Sequence, residues 1–224
     1  EGLSDIETIA YYSQLASEQI KAENLGFHGH GVHNALRLLQ SKEISKESIN
    51  LLLTGTFHAF RSSCLASYFK THPRYELQNG KVVYKGKCSA KKDEGWIRKT
   101  KKILDTANIF LNARSLQILS DFLQSSFTLY QIELYQNLIR EFYHLSLERG
   151  ENPIILYIKD HKRSYLTAGF ITDPMYEYFQ REGMKFMDIT LPDEDKFYLH
   201  KLDRHPSAFA NCTRVKIITK KLGI

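Results

Sequence analysis

Two short stretches constrain the fold more than any other feature of this chain. Residues 49–57 (INLLLTGTF) and 153–158 (PIILYI) are nearly continuous runs of apolar and β-branched residues, too short for ordinary helices. A strand that buries one face alternates apolar with polar residues, whereas a strand covered on both faces is apolar throughout. The second pattern belongs to parallel sheets sandwiched between helices. On this reading 49–57 is a central strand.

Around these runs the apolar period lengthens to that of helices. After Asp5, residues 6–19 place Ile6, Ile9, Ala10, Leu15 and Ala16 on one helical face, a short strand is expected near 22–25, and 26–31 (GFHGHG) is a glycine turn opening a helix over 32–39. Asn79-Gly80 centres a hairpin over 75–84, because this dipeptide tolerates positive φ. The hairpin lies within 62–102, where the periodicity degrades as in an inserted flap. Residues 103–119 and 122–147 are helical by pattern, the second closed by Gly150. A helix over 174–182 stopped by Gly183, a strand over 185–189 and a final helix over 208–222 complete the alternation. The expectation is one domain over 1–224, a flavodoxin-like three-layer α/β/α fold with a mostly parallel sheet. Its site should lie beyond the carboxyl ends of the strands, at 26–31, at 57–61 and in the loop before the last helix.

Composition narrows the function less than the fold. No apolar run approaches the roughly 20 residues that span a bilayer, and the first five residues are not a signal peptide. Cys64, Cys88 and Cys212 share no metal-ligand spacing, and their odd number argues against a disulfide framework, so free thiols in a reducing compartment are expected. Charge is +6, from 31 basic and 25 acidic residues, with the densest basic run at 85–102. That run holds a single Trp, so a solvated insertion fits it better than a stacking surface for single-stranded nucleic acid.

Three groups of residues could carry chemistry. Asp203-Arg204-His205-Pro206-Ser207 sets an acid two residues from an imidazole, with Pro206 placed to open the last helix. Either Asp203 orients His205 as a general base, or Asp203 caps the helix and His205 is a surface residue. His28, His30 and His33 suggest a metal, but their spacing crosses a glycine turn with no acid at ligand distance, so no metal is assigned. The turn offers instead the backbone N–H groups of Gly29 and Gly31 to an oxyanion or other ligand. His58 and Arg61, past the end of the first buried run, could donate to the same oxyanion or bind an anionic substrate group.

Taken together, these blocks resemble the SGNH (GDSL-type) ester hydrolases. Residues 24–31 (NLGFHGHG) are similar to the family's glycine block, Asp203-Arg204-His205-Pro206 resembles its terminal block, and residues 2–5 with Thr8 resemble the stretch that follows its serine. The resemblance implies a serine esterase or deacylase acting on an acyl or O-acetyl ester of a small molecule, glycan or lipid, with no cofactor. Asp203 and His205 would be catalytic, and Gly29, Gly31, His58 and Arg61 would bind oxyanion or substrate. Two departures qualify it. Residues 54–61 contain no counterpart of the family's oxyanion asparagine, His58 being the nearest polar group, and no Gly-Asp-Ser turn precedes the glycine block. By resemblance that serine and its strand would lie just before Glu1. Without them, the same fold is a non-catalytic module binding an acylated glycan or lipid.

Overall fold

The computed structural model describes residues 7–18, 20–26, 29–42, 48–64, 71–88, 113–159, 170, 172–199 and 205–224, with side chains of 113–148 described from 129 onward. The protein is α/β. A three-stranded parallel sheet of order β1-β4-β5 is formed by β1 (Ile49–Gly55), β4 (Asn152–Ile158) and β5 (Phe186–Asp188). A separate antiparallel hairpin pairs β2 (Pro73–Gln78) with β3 (Lys81–Lys87). The helices are α1 (Ile9–Ala16), α2 (Val32–Ser41), α3 (Phe57–Ser62), α4 (Ala113–Glu148), α5 (Pro174–Arg181) and α6 (Ala208–Leu222).

The layering follows from which residues of β4 point which way. Ile155 and Tyr157 enter a core with Leu36 and Leu39 of α2, Tyr135, Leu138 and Ile139 of α4, and Met175 and Phe179 of α5. Ile154 and Leu156 point to the opposite face, where Ile218 of α6 and Ile9 of α1 cover them together with Ile189. β4 is thus covered on both sides, as its uninterrupted PIILYI run requires.

β1 departs from the expectation. The strand ends at Gly55, Phe57 already begins α3, and among the described residues β1 pairs only with β4, which makes it an edge rather than a centre. Its core face carries Asn50, Leu52 and Thr54. The aliphatic row on the other face is exposed, with Ile49, Leu51 and Leu53 at 45%, 38% and 41% of their full accessibility. The apolar run therefore conceals an inversion, in which two polar residues face inward and three aliphatic ones face out. Gly55 is needed for close approach, since a Cβ there would stand 2.4 Å from the Ile158 carbonyl oxygen.

Other differences have local causes. Residues 22–25 form no strand; the chain there is exposed, and the Asn24 carboxamide accepts from Gly26 N–H at 3.1 Å in place of a ladder bond. The two helices expected over 103–119 and 122–147 are replaced by α4, continuous from Ala113, while 103–112 lie outside the described residues. The hairpin turns at Asn79 and Gly80, with φ of 53° and 72°. It lies against α2 and α4 through the Tyr75 hydroxyl, which donates to Gln40 at 2.8 Å, and through Arg140, which donates to the Gly80 carbonyl at 3.1 Å.

The cysteines correct another expectation. Cys64 and Cys88 form a disulfide across a sequence separation of 24 with Cα atoms 5.5 Å apart, and Cys212 is the free thiol. Spacing alone concealed this, because the hairpin folds back and returns Cys88 to the end of α3. Closing a loop of that length restricts the unfolded chain by about 3 kcal/mol. Cys64→Ser or Cys88→Ser should therefore lower the unfolding free energy by about 3 kcal/mol in urea titrations. Uptake of three alkylating groups by the unreduced, unfolded chain, rather than one, would show that the bond is absent.

Candidate functional site

The carboxyl end of β1 turns directly into α3, which presents His58 and Arg61 one turn apart and therefore on the same side. Thr54, buried in β1, anchors the pair: its hydroxyl lies 3.0 Å from His58 Nδ1 and 2.8 Å from the Tyr135 hydroxyl. His58 Nε2 lies 3.3 Å from Arg61 Nη1, which also donates to the His30 carbonyl at 3.2 Å. The guanidinium can only donate, so Nε2 of His58 accepts, and the ring proton sits on Nδ1 and is donated to Thr54. Both ring nitrogens are thus engaged. In this arrangement His58 orients Arg61.

Thr54→Val preserves the shape of the side chain while stranding the Tyr135 hydroxyl and His58 Nδ1. The expected cost is about 2–3 kcal/mol in urea unfolding, accompanied by a shift of the His58 ring resonances. A change below about 0.5 kcal/mol, the scale of an inert surface substitution, would mean the chain of bonds does not form.

The glycine turn meets this group from the other side. Gly29 has φ of 75°, a conformation that favours glycine, whereas Gly31 is extended and caps α2. Gly31 is required by proximity instead: a Cβ would stand 3.0 Å from His33 Nδ1 and 3.3 Å from Arg61 Cβ. His30 and His33 both lie near His72, with ring centroids 5.4 Å and 5.7 Å from it. The disulfide holds His72 in register, because Cys88 N–H donates to the His72 carbonyl at 2.8 Å.

Crowding of these groups sets their protonation. His33 is fully buried, and burial followed by repulsion from His72, His30 and Arg61 brings its pKa down to about 3. Burial and then Arg61 and His33 bring His58 down to about 3 as well. His30 and His72 are lowered by burial, His30 further by His72. Among the described residues no group of three His, Cys, Asp or Glu side chains is arranged to hold a metal ion.

His205 is exposed in the loop before α6, and its carbonyl accepts from Leu199 N–H at 3.0 Å. Asp203, expected to orient it, lies outside the described residues. The cap of α6 is Ser207, which accepts from Ala210 N–H at 3.2 Å, so the helix takes its cap from neither Asp203 nor an opening proline. Pro206 sits before the cap in a bridge to Tyr198. Ala210 packs with Leu191 and Phe197 beyond β5, while Ile218 packs over the strands, so α6 begins on the carboxyl side of the sheet. His205 therefore lies on the same side of the sheet as Arg61 and Gly31. The described contacts join Gly31, His30, His58 and Arg61 to one another and do not extend to His205.

The sequence reading treated His33 as incidental and passed over His72 and Tyr135. One signal for His33 was present: it falls on the apolar stripe of α2 with Val32, Leu36 and Leu39, where a polar residue calls for an explanation. No helix among the described residues is long and apolar enough to cross a membrane. No family model, curated protein or solved structure matches this chain.

Proposed function

We propose that this chain is the larger part of an SGNH-like serine esterase or deacylase in a flavodoxin-like fold, with His205 as general base and then acid, and Asp203 as its orienting carboxylate. In the first step His205 takes the proton of a serine hydroxyl as the oxygen attacks the ester carbonyl; in the collapse it returns the proton to the departing alkoxide. The Gly29 N–H of the glycine turn and the Arg61 guanidinium stabilise the charge that develops on the carbonyl oxygen, because the Gly31 N–H is taken by the Asn34 carboxamide at 3.1 Å. The observation that carries the reading is the seating of that turn and of Arg61 at the carboxyl end of a parallel strand, where sites in open α/β sheets form.

The inverted faces of β1 support the same reading. An uncharged strand whose second edge is unpaired among the described residues, with an exposed aliphatic row, is a place for another strand to add. A serine-bearing strand paired there would deliver its hydroxyl to the Gly31 and Arg61 end. Among the described serines, Ser13, Ser41, Ser63 and Ser207 hydrogen-bond to backbone carbonyls with their hydroxyls, and the Ser62 hydroxyl is buried without a hydrogen-bond partner.

The test is a fluorophosphonate probe applied to the protein translated from its complete natural reading frame, with the adduct mapped by peptide mass spectrometry. A single labelled serine upstream of residue 1, lost on heat denaturation, is expected. A protein that takes no label and turns over no p-nitrophenyl acetate is a binding module for an acylated glycan or lipid.

A further inference from the structure

The buried N-terminal end of α2 holds hydrogen-bonding capacity beyond the Gly31 N–H, which the Asn34 carboxamide takes at 3.1 Å. Its cap, Gly31, brings no side-chain acceptor, and Asn34 and Ala35 donate to the Gly31 carbonyl at 3.0 Å and 3.3 Å. Among the described residues, this leaves the N–H groups of Val32 and His33 at the helix entrance, at the positive end of the helix dipole. His33 supplies an independent observation. Its side chain is fully buried, neither ring nitrogen has a hydrogen-bond partner, and the ring folds back onto Gly31 beside those N–H groups. Leaving a buried imidazole unsatisfied is costly, and a bound acceptor would satisfy the nitrogen that carries the proton.

The surroundings select the sign of that acceptor. The groups packed against His33 are His30, His72, His58 and Arg61, all neutral or cationic, and among the described residues no carboxylate faces it. Two backbone N–H groups and an imidazole N–H at one helix end, beside a cationic side chain, match the several oxygens of a tetrahedral oxoanion better than the single oxygen of a carbonyl.

We propose that the N-terminal end of α2 is a binding site for a phosphate or sulfate group, held by the N–H groups of Val32 and His33 and by the His33 ring, with the Arg61 charge beside it. The group belongs to the substrate, so the ester cleaved is one that also bears a phosphate or sulfate. That last step rests on the esterase reading, while the site itself does not.

Inorganic phosphate and inorganic sulfate are the probes, titrated into the whole protein at pH 7.5 and constant ionic strength while the imidazole nitrogen resonances are followed. A saturable shift of the His33 resonances that chloride does not produce is expected. His33→Ala and His33→Gln should each weaken phosphate binding by about tenfold or more, while His144→Ala on α4 should leave it unchanged. The absence of a saturable His33 shift in the wild-type protein overturns the proposal without needing any variant. Equal phosphate affinity in a folded His33→Ala protein overturns it too. Phosphate binding without ester turnover would keep the site and remove the esterase reading; turnover without phosphate binding would do the reverse.

Discussion

His205→Ala is expected to lower ester turnover by about four orders of magnitude or more, the scale seen when the base of a serine nucleophile is removed. The loss should fall on kcat, because in the proposed mechanism the imidazole moves a proton in the transition state and contributes little to holding the ground state. It should come without unfolding. His205 is exposed, and its described hydrogen bond is made by the backbone carbonyl to Leu199, which alanine retains. The loss of stability should therefore be that of an exposed side chain, about 1 kcal/mol or less. Steady-state kinetics and a urea titration on the same preparation separate the two effects. Turnover within tenfold of wild type would sink the proposed role of His205.

The second large effect is a loss of stability in mild acid. His33 and His58 are held near pKa 3 in the folded protein, whereas in the unfolded chain they return to the ordinary histidine value of 6.5. Between those values the unfolded state binds protons that the folded state refuses, so the unfolding free energy falls as pH falls. The full contribution is present above pH 6.5. Below it, each group removes about 1.4 kcal/mol per pH unit, and two groups together remove about 4 kcal/mol by pH 5. His30 and His72, whose values are lowered too, add in the same direction. Urea midpoints measured at pH 7.5, 6.5, 5.5 and 5 should drop steeply over the last three. A flat profile would mean that these rings are charged or solvated in the folded state.

What could be read from the sequence depended on whether neighbours in the chain were also neighbours in space. The hairpin at Asn79-Gly80 was legible because a turn is decided within four residues. So was β4, whose run from Pro153 to Ile158 admits no face for water. β1 was expected at the centre of the sheet, whereas among the described residues it lies at an edge; an apolar run reports only that residues avoid water, without saying which elements supply the cover. Asn50 and Thr54 held the missing information. Their polar side chains face the core because Ser146 and Glu151 at one end, and His58 and Tyr135 at the other, come from distant segments to meet them. The candidate site was legible as loops at strand ends. Its inner organisation was not, since the tautomer of His58, the burial of His33 and the Cys64–Cys88 bond arise only once α3, the glycine turn and the hairpin converge.

The bonds at the two ends of β1 also make part of α4 a strut of fixed length. Tyr135 holds Thr54 near the site, and Ser146, eleven residues on, holds Asn50 at the opposite end of the strand. Eleven helical residues rise about 16 Å, against about 13 Å for the four strand steps between Asn50 and Thr54, a difference that the side chains can span. Inserting or deleting a single residue between the two anchors would swing one about 100° around the helix axis relative to the other. Substitutions there can be absorbed by repacking, but a change of length cannot, and the end that slips would carry Thr54, and with it the aim of Arg61.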